Sequence, residues 1–189
     1  EPQEYYPLTE NQRGIYIDWE LHRDTTQYNI PSVICLQHAD AEALQRALTV
    51  AIDAHPSLKM RLARRDGEVM QQRRDSASIE IPVLLLSEEA RQDLPKFFQS
   101  MVKPFDLFAD DLCRIRIYTT EEETYLFRDI HHIVFDGLSD NVFMNDVLNA
   151  LQGKDIMMES VTAFDFALYE RELRETESYT QAEEYFDTL

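Results

Sequence analysis

The chain has no apolar stretch approaching the roughly 20 residues that a membrane-spanning helix requires, so no span is expected. It also lacks an initiating methionine and any signal-peptide pattern. Its start, Glu1-Pro2-Gln3, reads as a cut from a longer, cytoplasmic protein. Basic residues are scarce: 18 Lys and Arg stand against 36 Asp and Glu, a net charge of −18. A nucleic-acid partner calls for the opposite balance, and an anionic membrane surface is disfavoured on the same ground. The acid excess reads instead as a solubilising surface. Cysteines number two. Cys35 and Cys113 each lie inside an apolar run and read as buried free thiols, with a pairing between them as the alternative. No internal repeat, low-complexity tract or second domain interrupts the 189 residues, which are 44% hydrophobic. That is enough for one domain with a core, or for one large lobe of a bigger domain.

What is present is concentrated in residues 124–140, TYLFRDIHHIVFDGLSD. A strand-like run over 125–130 delivers two consecutive histidines, His131 and His132. Asp136-Gly137 then turns the chain into a helix start at Leu138-Ser139-Asp140. Neighbouring side chains on a strand point to opposite faces, so one histidine faces the packed interior and the other a cleft; alternation does not say which. A single histidine in such a run reads as a core residue. Two together, beside the free N–H groups of a helix start, read as a place for acid–base chemistry. A metal site is disfavoured, because adjacent strand histidines diverge and neither cysteine lies near in sequence.

The remaining pattern predicts the surrounding elements. Thr9 with Gln12 three residues on marks a helix start running to about His22, and Asp40 caps an amphipathic helix to Ala54. Leu58 to Ala63 and Glu68 to Gln72 form a hairpin closed at Asp66-Gly67. Arg61, Arg64, Arg65, Arg73 and Arg74 cluster there and read as a solvated, ion-paired surface. The run 79–86 reads as the most buried strand, and Ser87 caps a helix toward Met101 that Pro95 should split. Residues 112–119 and 124–130 form a second hairpin. The helix from Ser139 to Leu151 turns Val142, Val147, Leu148 and Leu151 inward, and Gly153 stops it. One or two helices over 161–189 carry Phe164, Phe166, Ala167, Leu168, Leu173, Tyr185 and Phe186.

The run His131-His132-Ile133-Val134-Phe135-Asp136-Gly137 resembles the HHxxxDG signature of nonribosomal peptide synthetase condensation domains, in the wider chloramphenicol acetyltransferase-like superfamily. Other stretches are similar too. Residues 9–16 resemble SxAQxRLW, with Gln12 kept, Tyr16 for the aromatic and Gly14 where relatives have arginine. Residues 54–61 resemble RHExLRTxF, with His55 and Leu58 matching, and Ala54 and Lys59 replacing the two arginines. Residues 104–107 match PFDL, and Asp111-Leu112-Cys113-Arg114 stands where relatives read PLLR.

The resemblance implies an α/β fold, a mixed sheet covered by helices in a two-layer sandwich. Residues 1–189 would be the N-terminal lobe, the C-terminal lobe lying outside this chain. It implies amide-bond formation between carrier-bound acyl or peptidyl and aminoacyl thioesters, with His132 and Gly137 at the chemistry and His131 an interior residue. Asp136 would be structural, held by Lys59 or Arg61. No cofactor would bind directly. Substrates would ride on phosphopantetheine arms of donor and acceptor peptidyl carrier proteins, beside neighbouring synthetase domains. An epimerisation or ester-forming relative, or a non-catalytic carrier-binding module, would carry the same signature. The lobe alone is expected to fold and to be inactive.

Overall fold

The computed structural model describes residues 2–188, and only the backbone at 183, 184, 186 and 187, so the apolar role expected of Phe186 lies outside the described residues. The chain enters as strand β1 (Tyr5–Pro7) and turns into helix α1 (Glu10–Leu21). Thr9 and Gln12 cap that helix reciprocally: Gln12 N–H donates to Thr9 Oγ1 (3.2 Å) and Thr9 N–H to Gln12 Oε1 (3.0 Å). Strand β2 (Asn29–Gln37) leads to α2 (Ala41–Ala54), capped by Asp40, which buries Leu44, Ala47, Leu48, Ala51 and Ile52 at the predicted spacing. Next come β3 (Arg61–Arg65) and β4 (Glu68–Gln72). Asp66 and Gly67 join them with φ of 52° and 87°, the left-handed pair that a tight hairpin turn requires. The chain continues through β5 (Val83–Leu85), α3 (Glu88–Gln92) and α4 (Leu94–Met101). Pro95 does divide this helical run, at Asp93, whose carboxylate caps the second piece. Strands β6 (Cys113–Thr119) and β7 (Glu123–His131), then α5 (Gly137–Leu151), α6 (Ala163–Arg174) and α7 (Glu177–Asp187) complete the order.

The strands form two sheets. The larger is ordered β2-β7-β6-β5 and is mixed, because β5 runs parallel to β6 while the other pairs are antiparallel. The smaller is ordered β1-β4-β3 and wholly antiparallel. One face of the large sheet, carrying Ile115, Ile117, Leu126 and Ile130, packs under α2 and α5. Tyr118, Tyr125 and Phe127 alternate with these and so face the other way, where Phe98 of α4 covers them. A separate core joins the small sheet to α1 and α6 through Tyr6, Trp19, Met60, Leu62, Phe105 and Phe164. Among the described residues no helix is long and apolar enough to cross a membrane.

Four expectations are corrected. The run 79–86 is not a buried strand. Only Val83–Leu85 pairs, at the sheet edge, with Leu85 86% exposed, because the chain here crosses the rim of the sheet. Leu58 and Lys59 belong to a short 3₁₀ turn (Pro56–Lys59) that Pro56 initiates, so the first hairpin starts only at Arg61. On α5 it is Phe143 and Val147 that are buried, whereas Val142, Leu148 and Leu151 are 54, 52 and 42% exposed. Cys35 is exposed on the edge strand β2, and Cys113 alone is buried.

Candidate active site

Strand β7 is the central strand of the large sheet, buried along nearly its whole length. Its end is fastened from both sides. His131 N–H donates to Leu112 O (2.9 Å), and His132 N–H donates to Tyr28 O (2.8 Å). The loop beyond is pinned into two cores at once: Ile133 packs in the small-sheet core and Phe135 in the large-sheet core. Two residues of a five-residue connection are thus committed to packing, which fixes where the histidines and Asp136 emerge.

Geometry separates the two histidines. His131 is 2% exposed, set edge-on to Phe105 and tilted against Tyr28, with ring centroids 5.6 and 6.0 Å away. Its Nδ1 accepts the Ile133 N–H (3.2 Å), so that nitrogen carries no proton. Burial pushes its pKa down to about 4, with the neighbouring positive charge of His132 and Arg114 adding to the effect. His131 is therefore a neutral interior residue. His132 is exposed and opens on a recess of about 410 Å³ shared with Asn11, Gln12, Ile15, Ser57 and Phe166. Among the described residues no side-chain hydrogen bond occupies its ring.

Asp136 is where the structure departs from expectation. Its carboxylate accepts from Ser139 N–H (2.8 Å) and Ser139 Oγ (2.7 Å) as the N-cap of α5. Those donors hold its carboxyl below the usual carboxylate range. Among the described residues neither a lysine nor an arginine pairs with it. Lys59, 5% exposed, instead reaches Asp53 Oδ1 (2.5 Å) and the Asp75 carbonyl (2.9 Å). Arg61 is captured by Asp111 (2.7 Å), which also binds Arg74 (2.9 Å). Lys59 lies on the 3₁₀ turn within reach of Asp53 in the last turn of α2, and Asp111 takes up Arg61. The rest of the basic cluster is ion-paired as expected, Arg64 with Glu20, Arg65 with Asp66 and Arg73 with Asp75.

Gly137 is the first residue of α5, its φ lies outside the left-handed region, and a Cβ there would meet nothing within 4 Å. Within this chain, then, neither conformation nor packing demands a glycine. Gly14 likewise has open space at its Cβ.

Two residues near the site were not singled out from sequence. His55, matched only as part of a motif, sits between two carboxylates: Nδ1 to Glu159 Oε1 (2.6 Å) and Nε2 to Asp146 Oδ2 (2.9 Å). With both nitrogens donating, the ring is an imidazolium, and these partners, Glu159 foremost, raise its pKa. It lines a second recess, of about 290 Å³, that shares Ser57, Phe135, Asp136 and Ser139 with the first. Arg128, 4% exposed on β7, bonds Asp140 in the first turn of α5 (2.6 Å) and so ties that helix start to the strand. Nothing in the local sequence signals either partnership, since the residues meet only through the tertiary fold.

The family profile for the condensation domain matches residues 2–189. The chain belongs to the condensation-domain family. It is 31% identical over 186 residues to surfactin synthase subunit 2 of Bacillus subtilis (strain 168), an alignment covering 97% of this chain and 5% of that protein. It is 30% identical over 186 residues to tyrocidine synthase 3 of Brevibacillus parabrevis, covering 97% of this chain and 3% of that one. Among solved structures it is similar to the starter condensation domain of rhizomide synthetase, with a TM-score of 0.84 at 17% identity, covering 98% of this chain and 48% of that one. The X-domain from teicoplanin biosynthesis gives 0.81 at 23%, covering 98% and 43%. The condensation-domain fold expected from the signature is therefore present, and this chain spans under half of the solved domains that share it.

Proposed function

We propose that this chain is the N-terminal lobe of a condensation domain and supplies one wall of a site for amide-bond formation between two thioester-bound substrates. The observation that carries the reading is the asymmetry of the histidine pair. One imidazole is neutral, buried and already bonded, while the other is exposed, without a side-chain bond among the described residues, and set at the mouth of a recess.

The acceptor amine nitrogen attacks the donor thioester carbonyl, the C–N bond forms, and the C–S bond breaks. The proton shed by the amine goes to the sulfur, which leaves as the thiol of the donor arm. The free ring nitrogen of His132 can hold that proton in passage or orient the amine by accepting its hydrogen bond. Orientation by itself can supply several kcal/mol of the barrier reduction. Asp136 contributes indirectly, by capping α5 and so fixing the loop that follows His132. Gly137 stands at the helix start, where its N–H could face the thioester oxygen. Both substrates would arrive on phosphopantetheine arms of peptidyl carrier proteins, with neighbouring synthetase domains alongside.

In the intact synthetase, His132→Ala should lower condensation turnover by about 10²-fold or more while leaving the melting temperature unchanged, because an exposed ring holds nothing together. Undiminished product by mass spectrometry would remove His132 from the chemistry. The 189-residue chain alone, given both loaded carriers, should make no detectable product, since one wall leaves the reacting groups solvated and unoriented. Turnover at the rate of the intact protein would show the lobe to be the whole catalyst.

A further inference from the structure

Next to His132 in the recess lies the side-chain amide of Gln12, only 9% exposed. Both of its N–H donors and one acceptor site of its oxygen are engaged. Its Oε1 accepts the Thr9 N–H (3.0 Å), and its Nε2 donates to Gln71 Oε1 (2.9 Å) and to the carbonyl of Ile133 (3.2 Å). Gln71, 0% exposed, donates in turn from its Nε2 to the Pro7 carbonyl (2.8 Å). The direction of this relay is fixed. Ile133 O and Pro7 O can only accept, so flipping either amide would face oxygen to oxygen and N–H to N–H.

Ile133 is the residue immediately after His132. The other backbone groups of that turn are held within the large sheet: His132 N–H by Tyr28, Ile133 N–H by the His131 ring, and Val134 N–H by the His131 carbonyl. On the opposite side, where the Ile133 side chain packs in the small-sheet core, Gln12 adds a hydrogen bond from α1 to the carbonyl of the signature turn. The Ile133 carbonyl belongs to the peptide joining Ile133 to Val134, one residue beyond the Cα from which the His132 ring departs, so this bond anchors the turn directly after that ring.

We infer that Gln12 is a positioning residue for condensation, aiming the His132 imidazole by holding the Ile133 carbonyl. The inference rests on the reading of His132 as the residue that meets the substrates. It goes beyond helix capping, for which the Oε1 atom alone would suffice.

Gln12→Glu separates the two roles. Glutamate keeps an oxygen for the Thr9 N–H, completing a Thr-x-x-Glu capping box, but turns carboxylate oxygen toward Ile133 O and Gln71 Oε1. Gln12→Met is the second variant, of similar length and with no donor. In the intact synthetase both should lower kcat by about 10²-fold with KM for the carrier-bound acceptor little changed, the cost of a misaimed group rather than of lost binding. Thr9→Ala, which removes the hydroxyl of the cap and leaves the Ile133 bond in place, should keep kcat within about twofold. Full kcat in either Gln12 variant overturns the inference, as does an equal loss in Thr9→Ala. Failure of both Gln12 variants to fold also overturns it, because the amide would then be holding the lobe together rather than aiming a ring. His132→Ala in the same assay separates the levels. If it keeps full turnover, the underlying reading of His132 fails. If it is inactive while the Gln12 variants are normal, only the role of Gln12 fails.

Discussion

His131 and His55 are buried to similar depth, 2% and 8% exposed, yet they hold opposite charge states. His131 meets aromatic rings and one backbone N–H that donates to it, an environment that admits only the neutral ring. His55 meets two carboxylate oxygens, one at each nitrogen, an environment that favours the imidazolium. Burial alone penalises charge in both places, and the partners decide the outcome. His131 ends the strand that leads into the signature loop, and His55 lines a recess on that loop. One is a rigid neutral support under the strand end. The other is a charged clamp joining the end of α2 to α5 and to the segment around Glu159.

The largest stability effect should come from breaking the clamp. His55→Ala leaves Asp146 and Glu159 facing one another with no cation between them. A fully buried pair would cost 3–5 kcal/mol. Here the two carboxylate side chains keep 18 and 29% exposure, so about 2–3 kcal/mol is expected in urea unfolding. A cost below about 0.5 kcal/mol, ordinary for a surface change, would mean the clamp is ornamental.

A smaller effect, and a sharper one, is the pH dependence, where the two histidines should act with opposite sign. The folded pKa of His55 is raised, so its contribution is fully present below its unfolded value near 6.5 and is lost as pH climbs through the folded pKa. The melting gap between native protein and His55→Ala should therefore narrow as pH rises. The folded pKa of His131 is depressed from 6.5 to about 4, so its contribution is present above 6.5 and drains away as pH falls toward 4. The native protein should lose ground to His131→Phe across that interval. Gaps that move in the same direction for both variants would refute the assignment of opposite charge states.

Smallest is the test that extends the comparison to a carboxylate. Asp136 is held by N–H and O–H donors of Ser139 rather than by a cation. Asp136→Ala should cost about 1 kcal/mol and Asp136→Asn only a few tenths, because asparagine caps a helix nearly as well. Equal costs for the two would point to a lost ion pair after all.

The comparison also marks how far local sequence reaches. The hairpin at Asp66-Gly67, the cap at Thr9 and the break at Pro95 are decided by residues within one turn of each other, and all three appear where the pattern places them. The histidine pair and the turn into α5 were legible for the same reason. The partners of Asp136 were not. Whether a cation at position 59 or 61 reaches residue 136 depends on Asp53, Asp75 and Asp111, which compete for it only once the chain is folded. The clamp at His55 joins residues 91 and 104 positions apart and left no local trace. Edge strands were misjudged in a related way: the run 79–86 is apolar because it crosses a rim, and hydrophobicity by itself does not distinguish rim from interior.

The order of the large sheet bears on how the lobe is made. Strand β7 sits between β2 and β6, and Asn29 of β2 and Asp129 of β7, bonded through their side chains, stand 100 positions apart in the chain. On a ribosome, β2 emerges early and must wait, its hydrogen-bonding edge open, until the histidine-bearing strand has been synthesised. Strand β7, which ends in His131, is thus the stitch that joins β2 to the rest of the sheet. A nascent chain halted before it would expose an unpaired edge to its neighbours, and the segment proposed to carry the chemistry is also the one whose arrival ends that hazard.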